Sequence, residues 1–338
     1  MGDVLITKDS ETPEDIGVPA YVESTATDLV LGYHLSLIRP RPGTYGRYLY
    51  WAMCSESVNQ QFETSATGVT RFGLRAEAIA NTELPVPPLT EQRAIADYLD
   101  AETARIDALI TKKQKLIHLL EERSRLIGEG VVEQLRESCP LVPLKYLVRE
   151  SDSRLGGATD NPLVLSVSIH HGVVPRSVVS DKESRADNFS NYKVCVPGQI
   201  AINRMRAFQG GVGVVCERGV VSPDYTVLNL DNALKPKFVH FLMRSDWFVA
   251  EMTKRLRGIG ATDQGAVRTP RVNFGDLGLI EVPVPTVEQQ HEVALDLEAA
   301  REASLAAAKA LSSQTGLLSE RRSALITAAV SGKQQDLP

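Results

Sequence analysis

The stretch from Thr90 to about Leu135 constrains the fold of this chain more than any other. It contains no proline, and its large apolar residues recur at gaps of three, four and seven. This spacing is typical of a coiled-coil helix with a narrow apolar seam on one face. At about 1.5 Å per residue such a helix is roughly 65–70 Å long, and it needs a partner helix because a narrow seam cannot form a core. The predicted seam residues are Ile95, Leu99, Ile106, Leu116, Leu120 and Ile127.

An internal repeat supplies the partner. The segment Leu84–Gln92 returns in similar form as Val282–Gln289, with the prolines offset by 283 − 85 = 198 and the Glu-Gln pair by 288 − 91 = 197. Proline lacks the backbone N–H and restricts the residue before it, so each proline cluster predicts a helix boundary. A second long helix follows the second copy. Its predicted seam residues are Val293, Leu297, Leu311 and Leu318.

The repeat extends through most of the chain. Gly2–Ile6 is similar to Gly198–Ile202, and Arg47–Ser55 is similar to Lys237–Ser245. We therefore predict two copies of one plan, in which a mixed α/β globule leads through a proline-rich hinge into a long helix. In the second copy residues 139–197 precede the repeated strand, so we expect the first globule to be incomplete, through a shortened gene, a misplaced start or a domain fragment. The predicted domains are residues 1–83, 84–138, 139–281 and 282–338.

Composition limits the class of protein. The 338 residues are 43% hydrophobic and 23% charged, which is typical of soluble proteins. No apolar run approaches about 18 residues and the N-terminus does not resemble a signal peptide, so we expect neither a membrane protein nor a secreted one. The four cysteines lack the spacing of zinc ligands, and a reduced, cytoplasmic setting is expected. A net charge of −5 argues against a protein that coats nucleic acid, but it is compatible with local basic faces.

One segment is basic although the chain is acidic. Between Lys235 and Arg271 there are eight bases and three acids, a local charge of 8 − 3 = +5. Such a cluster is suited to neutralising phosphates and to placing arginine at base edges, although the same residues could simply solvate a helix face. The candidate nucleic-acid contacts, chosen by charge and predicted loop position, are Arg204, Arg206, Arg255, Arg257, Arg268 and Arg271 in the second globule and Arg71 and Arg75 in the first.

Recognisable catalytic motifs are absent from the sequence. It has no phosphate-binding P-loop and no Rossmann glycine motif. Asn161–Leu163 departs at its third position from the Asn-Pro-Pro-Tyr motif of adenine methylation. Gly210–Gly213 is more typical of a hairpin turn than of a phosphate cradle. His170 and His171 would point to opposite faces of a strand, which disfavours a shared metal ion. We therefore predict no catalytic residue and no metal site.

Residues Leu84–Asp100 resemble the conserved region of the specificity subunits of type I restriction–modification systems, where a proline motif of this kind opens a long helix. Val282–Gln290 is a weaker second match, with Thr286 where a second proline would fall. Through the twofold plan the resemblance covers essentially the whole chain. It implies an α+β fold in which two mixed α/β target recognition domains, the first incomplete, are separated by a long antiparallel two-helix coiled coil with a pseudo-twofold internal repeat.

The resemblance also implies a function. In that family each target recognition domain recognises one half of a split, asymmetric sequence in double-stranded DNA. The coiled coil docks the methyltransferase (modification) subunits, and a restriction/translocase subunit completes the complex. We therefore expect no catalysis and no cofactor in this chain, with S-adenosylmethionine, ATP and magnesium bound only by partner subunits.

Two other functions stay open. The chain could be a coiled-coil scaffold or degraded relative that retains only subunit docking, which the incomplete first globule and the net charge favour. An enzyme in its own right is disfavoured because no motif supports it. Salt-sensitive, sequence-preferring binding to duplex DNA discriminates the specificity subunit from the scaffold.

Overall fold

The computed structural model describes residues 1–28, 30–157, 162–169, 171–180, 189–255 and 271–333. Single-turn 3-10 helices span Pro13–Asp15, Leu144–Tyr146 and Ala207–Gln209. The α-helices of the described residues are α1 Gly46–Met53, α2 Glu56–Ser65, α3 Ala76–Ala80, α4 Leu89–Ser138, α5 Arg176–Val179, α6 Pro236–Arg244, α7 Asp246–Thr253, α8 Phe274–Leu277 and α9 Val287–Val330. The strands are β1 Val4–Thr7, β2 Asp9–Ser10, β3 Pro19–Tyr21, β4 Leu35–Ile38, β5 Phe72–Gly73, β6 Leu141–Pro143, β7 Val148–Ser151, β8 Leu165–Ser168, β9 Gly172–Pro175, β10 Lys193–Cys195, β11 Ile200–Asn203, β12 Val212–Val214, β13 Gly219–Val221, β14 Tyr225–Leu230 and β15 Glu281–Pro283.

The first of two compact units comprises residues 1–118 and 307–338. Its three-stranded sheet has the order β3-β1-β4, and both pairings are antiparallel. The side chains of β1 alternate between buried and partly exposed, as expected for a strand with one face in a core. Val4 and Ile6 on the buried face pack in one cluster with Leu49 of α1 and Phe62 of α2. The short helices therefore cover one side of the sheet.

The second unit comprises residues 119–306. Its four-stranded antiparallel sheet has the order β12-β11-β14-β7. Every residue of β11 is buried, because this strand is covered on both faces. Ile202 packs in one cluster with Phe238 of α6, whereas Ala201 packs in another with Leu165 and Val167 of the β8–β9 hairpin. The hairpin thus lies on the side of the sheet opposite α6.

Each unit contains part of both long helices, α4 and α9, and in each unit the two run antiparallel. In the first unit, Arg322 Nε lies 2.9 Å from an Asp107 carboxylate oxygen and Lys113 Nζ lies 2.5 Å from Gln314 Oε1. Residue numbers rise along one helix as they fall along the other. In the second unit, Ser304 Oγ donates to the Leu120 carbonyl at 2.8 Å. The described residues contain no helix long and apolar enough to cross a membrane.

The seam between the long helices differs from the predicted one near the middle of α4. Ile95, Leu99 and Ile106 are buried as predicted, but Leu116 is 45% exposed and Ile127 is 38% exposed. The half-buried positions in this part of α4 are Lys113, Ile117, Leu120, Ser124 and Gly128. An α-helix drifts by about 20° per heptad from a strict seven-residue repeat, so counting sevens along the sequence leaves the seam. On α9, Leu297 is buried and Val293, Leu311 and Leu318 are half-buried.

Candidate functional site

A buried glutamine joins the start of the first long helix to the first globule. Gln92 lies one turn into α4 and is fully buried. Its Oε1 accepts a hydrogen bond from the Tyr45 N–H at 2.7 Å, immediately before α1. Its Nε2 donates to the carbonyls of Gly43 at 3.0 Å and Pro87 at 2.7 Å. One side chain therefore bonds the loop entering α1 and the proline hinge together.

The second unit repeats this arrangement at Gln290. That side chain is also fully buried; its Oε1 accepts from the Lys235 N–H at 2.8 Å and its Nε2 donates to the carbonyls of Ala233 at 2.7 Å and Pro285 at 2.9 Å. The two glutamines are offset by 290 − 92 = 198, as the prolines are. The Glu-Gln pairs, offset by 197, align Gln92 with Gln289, but Gln289 is exposed and caps the helix through the Thr286 N–H at 2.9 Å, so the structural equivalent of Gln92 is Gln290.

An ion pair between globule and long helix is repeated as well. Arg47 of α1 pairs with Asp100 of α4 at 2.8 Å, and Lys237 of α6 pairs with Glu298 of α9 at 2.6 Å. The Asp100 carboxylate also accepts from the Trp51 indole N–H at 2.8 Å. The basic residues are offset by 237 − 47 = 190 and the acidic ones by 298 − 100 = 198. In both copies, therefore, an ion pair between a basic and an acidic residue joins the globule to the long helix that follows it.

The other long helix of each unit caps the second short helix. The Thr327 hydroxyl of α9 accepts from the Glu56 N–H at the start of α2 at 3.1 Å. In the second unit a Glu129 carboxylate oxygen of α4 accepts from the Asp246 N–H at the start of α7 at 2.6 Å. The capping residues are again offset by 327 − 129 = 198. We call these three repeated contacts, the buried glutamine, the ion pair and the cap, the hinge contacts.

Two of the predicted arginine contacts are engaged with this chain itself. Arg204 is half-buried, donates through Nε to the Val272 carbonyl at 3.0 Å and hydrogen bonds to Asn273. Arg255 bonds both the backbone carbonyl and the carboxylate of Glu251, at 2.8 and 2.6 Å. The two guanidinium groups thus fix loop and helix geometry in the second unit. Arg257 and Arg268 lie outside the described residues.

The other predicted arginines are exposed. Arg271 lies 3.4 Å from the Asp224 carboxylate, and Arg75 immediately precedes α3. Arg71 lies 3.0 Å from Asp9, whose carboxylate also contacts His34 Nδ1 at 2.6 Å. The hydrogen bond from His34, followed by that from Arg71, lowers the pKa of Asp9. Exposed pairs of this kind are weak and exchange readily for a contact with a ligand phosphate.

Arg206 is exposed and lines a polar concavity that the sequence did not indicate. The concavity has a volume of about 430 Å³ and lies where β8, α5, the end of β11 and the start of β14 meet. Arg206 is joined there by Arg176, which is not among the contacts predicted from the sequence. The other polar lining residues are Ser166, Ser168, Ser180, Asn203 and Tyr225.

Comparisons with known proteins agree on one family. The family model for the type I restriction modification DNA specificity domain matches residues 2–119. The specificity subunit of the type I restriction enzyme EcoBI from Escherichia coli is 21% identical over 276 residues. Residues 2–119 therefore match the type I specificity domain family. The similarity to the EcoBI subunit covers 69% of this chain and 54% of that protein, so the chain spans about half the length of that relative.

Solved structures share the fold of this chain. The HsdS subunit from Thermoanaerobacter tengcongensis matches with a TM-score of 0.58 at 16% identity, covering 98% of this chain and 81% of that one. A chain from a study of complex assembly and conformational transition of the type I R-M system matches with a TM-score of 0.68, also at 16% identity, covering 98% and 82%. The predicted α+β fold with two mixed domains and an antiparallel coiled coil is confirmed.

A second cavity surrounds a buried histidine. It has a volume of about 390 Å³ and lies between α6, α9 and the β8–β9 hairpin. His240 lines it, with Nδ1 buried and without a hydrogen-bond partner among the described residues. Burial, reinforced by the charges of Arg244 and Arg301, lowers the pKa of His240 to about 3, so its imidazole is neutral. Within the described residues no cluster of His, Cys, Asp or Glu has the geometry to hold a metal ion.

Proposed function

We propose that this specificity subunit recognises a sequence in duplex DNA and docks the catalytic subunits of a type I complex, without chemistry of its own. The observation that carries the proposal is the duplication of the hinge contacts. A side chain that distinguishes bases must be held to within about half an ångström, and rigid secondary elements supply that support better than loops. Gln92 and Gln290, whose side chains are fully buried, connect each globule to a long helix through hydrogen bonds.

The exposed arginines provide the DNA contacts in this proposal. Arg206 and Arg271 in the second unit and Arg71 in the first have exposed side chains. Arginine binds phosphate oxygens and the O6 and N7 edge of guanine, and it does so in a forked geometry that lysine lacks. Arg204 supports the segment next to Arg271 through Val272 and Asn273, and Arg255 is paired with Glu251, so the proposal does not assign DNA contacts to these two residues. Net charge of −5 is then compatible with DNA binding, because the positive charge is local.

Exposed leucines on the long helices provide the docking surface. In the first unit Leu109, Leu116 and Leu317 are 47, 45 and 62% exposed. In the second unit Leu126 and Leu305 are 54 and 56% exposed. Large apolar side chains that recur on helices without intramolecular cover are typical of protein interfaces. Methyltransferase subunits and the restriction/translocase subunit are the proposed partners, and S-adenosylmethionine, ATP and magnesium belong to them.

Selection of bound sequences from a pool of randomised duplexes tests the proposal. The full chain, in complex with its methyltransferase partner, should enrich one short motif, with affinity that falls steeply as salt rises. Equal affinity for every duplex would refute sequence recognition. A chain that assembles with the methyltransferase but shows no salt-dependent DNA binding would establish the scaffold in its place, which the acidic net charge favours.

A further inference from the structure

We propose that the concavity around Arg176 and Arg206 is a seat for one phosphate of the DNA backbone, which sets the register of the second unit on the duplex. The inference rests on the proposed DNA recognition and adds the group that this particular site binds. The concavity is formed within the second unit by four elements that the fold brings together.

The chemistry of the lining favours an anion. The described residues around the concavity include two guanidinium groups, three serine hydroxyls, an amide and a phenol, and none of them is acidic. Asn203 Nδ2 already donates to the Tyr225 hydroxyl at 3.4 Å, and the Asn203 Oδ1 accepts from the Met205 N–H at 3.2 Å, so these two residues are fixed. Guanidinium and hydroxyl donors without a carboxylate are the donor set that phosphate oxygens take in proteins.

Arg176 carries a hydrogen-bond donor that the described residues leave unused. Its Nε is buried and has no partner among the described residues. Leaving a buried donor unpaired destabilises a fold, and such atoms are rare in native proteins. The backbone at this position is fixed, since the Arg176 N–H donates to the Val164 carbonyl at 2.9 Å. The side chain is thus presented to the concavity from a rigid base, and a bound phosphate oxygen would satisfy it.

Arg206 is presented from an equally rigid turn. Its carbonyl accepts from the N–H groups of Gln209 and Gly211, each at 2.9 Å. A side chain at position 211 would place its Cβ 2.8 Å from that carbonyl oxygen, and Gly210 has a φ of +82°, so both glycines are needed for the turn. Gly210 and Gly211, which belong to the turn predicted from the sequence, therefore fix the position of Arg206.

The shape of the site selects phosphate over base. Bases lie at the floor of a groove, so side chains that recognise them must protrude from the protein. A recessed site can receive only what protrudes from the DNA, and that is the phosphate backbone. Phosphate contacts position a protein on the duplex without carrying sequence information. Arg176 and Arg206 should then raise affinity for all sequences and leave the preference among them unchanged.

The test measures affinity of the full chain against salt for Arg206→Ala, Arg176→Ala and the double variant, on the selected duplex and on an unrelated one. Arg218, which is exposed and outside the concavity, provides the matched control Arg218→Ala. Each concavity variant should weaken binding about tenfold on both duplexes and reduce the slope of log affinity against log salt by about 0.9. Arg218→Ala should have a smaller effect on both the affinity and the salt slope.

A duplex in which single phosphates are replaced by neutral methylphosphonates identifies the partner. One replacement should weaken the wild type about tenfold and leave the double variant unaffected. Loss of sequence preference in the variants with an unchanged salt slope would overturn the proposal in favour of base contacts. No loss of affinity, or an equal loss in Arg218→Ala, would overturn it outright. A wild type without any sequence preference would count against the proposed function alone. The phosphate site would still be tested, because the salt slope is also measured on the unrelated duplex.

Discussion

Replacing Gln290 by alanine, beside a matched replacement of Gln289, tests whether the buried glutamine is the contact that holds a globule to its helix. The two residues are neighbours in α9, and both hydrogen bond to backbone groups. Gln290 is fully buried and bonds across a gap of 55 residues to Lys235, whereas Gln289 is exposed and bonds three residues back to Thr286. Sequence similarity favours Gln289 as the important residue, and the structure favours Gln290.

The expected magnitudes follow from what each truncation leaves behind. In Gln290→Ala the Lys235 N–H and the carbonyls of Ala233 and Pro285 lose their partner. An unsatisfied buried donor costs about 1–3 kcal/mol, and with a small cavity and the two weakened carbonyls the total is about 2–4 kcal/mol. Gln289→Ala removes half of a capping box with Thr286, worth about 0.5–1 kcal/mol.

Hydrogen exchange at single amides separates the two variants. The Lys235 N–H is itself the donor to Gln290, so its exchange should accelerate in Gln290→Ala and stay slow in Gln289→Ala. The melting temperature of the second unit should fall by roughly 5–15 °C in the first variant and by less than about 4 °C in the second. Equal melting temperatures together with equal exchange at Lys235 would refute the role of the buried glutamine.

Two further predictions follow from the second unit and the long helices. The pKa of His240 is lowered from 6.5 to about 3, so below pH 6.5 the unfolded chain gains a proton that the folded chain does not, and stability should fall by up to about 1.4 kcal/mol per pH unit until about pH 3. His240→Tyr introduces the residue found at the equivalent position Tyr50 (240 − 190 = 50). It should flatten the dependence of unfolding free energy on pH, measured by urea titrations between pH 6.5 and 5. An unchanged dependence would contradict the lowered pKa of His240. Leu120→Asp should lower thermal stability by about 2–3 kcal/mol because a charge enters the seam, whereas Leu116→Asp should change stability by less than about 1 kcal/mol and weaken capture of the methyltransferase subunit. Equal melting temperatures for these two variants would show that the seam is wrongly placed.

Periodicity predicted the long helices well because their signal is spread over many residues. The first was expected from Thr90 to about Leu135 and spans Leu89–Ser138. The middle of its seam was misplaced because Ser124 and Gly128 occupy half-buried positions there, and residues of this type give no hydrophobic signal. Leu116 and Ile127 were chosen in their place, although both are largely exposed. Leucines outside the observed seam, such as Leu116, are exposed and belong to the proposed docking surface.

Polar contacts were harder to predict, because sequence shows charge and not the partner of a charge. Arg204 was chosen as a DNA contact, but its guanidinium bonds Asn273, which is 273 − 204 = 69 residues away. Arg176 is not among the predicted contacts, and only the fold brings it beside Arg206. A buried glutamine has no periodic signature at all. The offset of 198 between the proline motifs was the one signal that identifies Gln92 and Gln290 as equivalent.

The repeat preserves the attachment of the globules and varies what they expose. Ser55 and Ser245 are both buried and bond the carbonyls of Ala52 and Leu242, in addition to the hinge contacts. The units also expose different surfaces, at places that are not equivalent in the repeat: in the first unit a concavity on α2 and α3 is lined by amides and hydroxyls, including Gln60. In the second unit the concavity contains arginine. Two identical surfaces would bind two identical half-sites, whereas different chemistry on the same attachment binds an asymmetric pair. The division between a buried repeat and unlike surfaces is compatible with the proposed recognition of a split, asymmetric sequence.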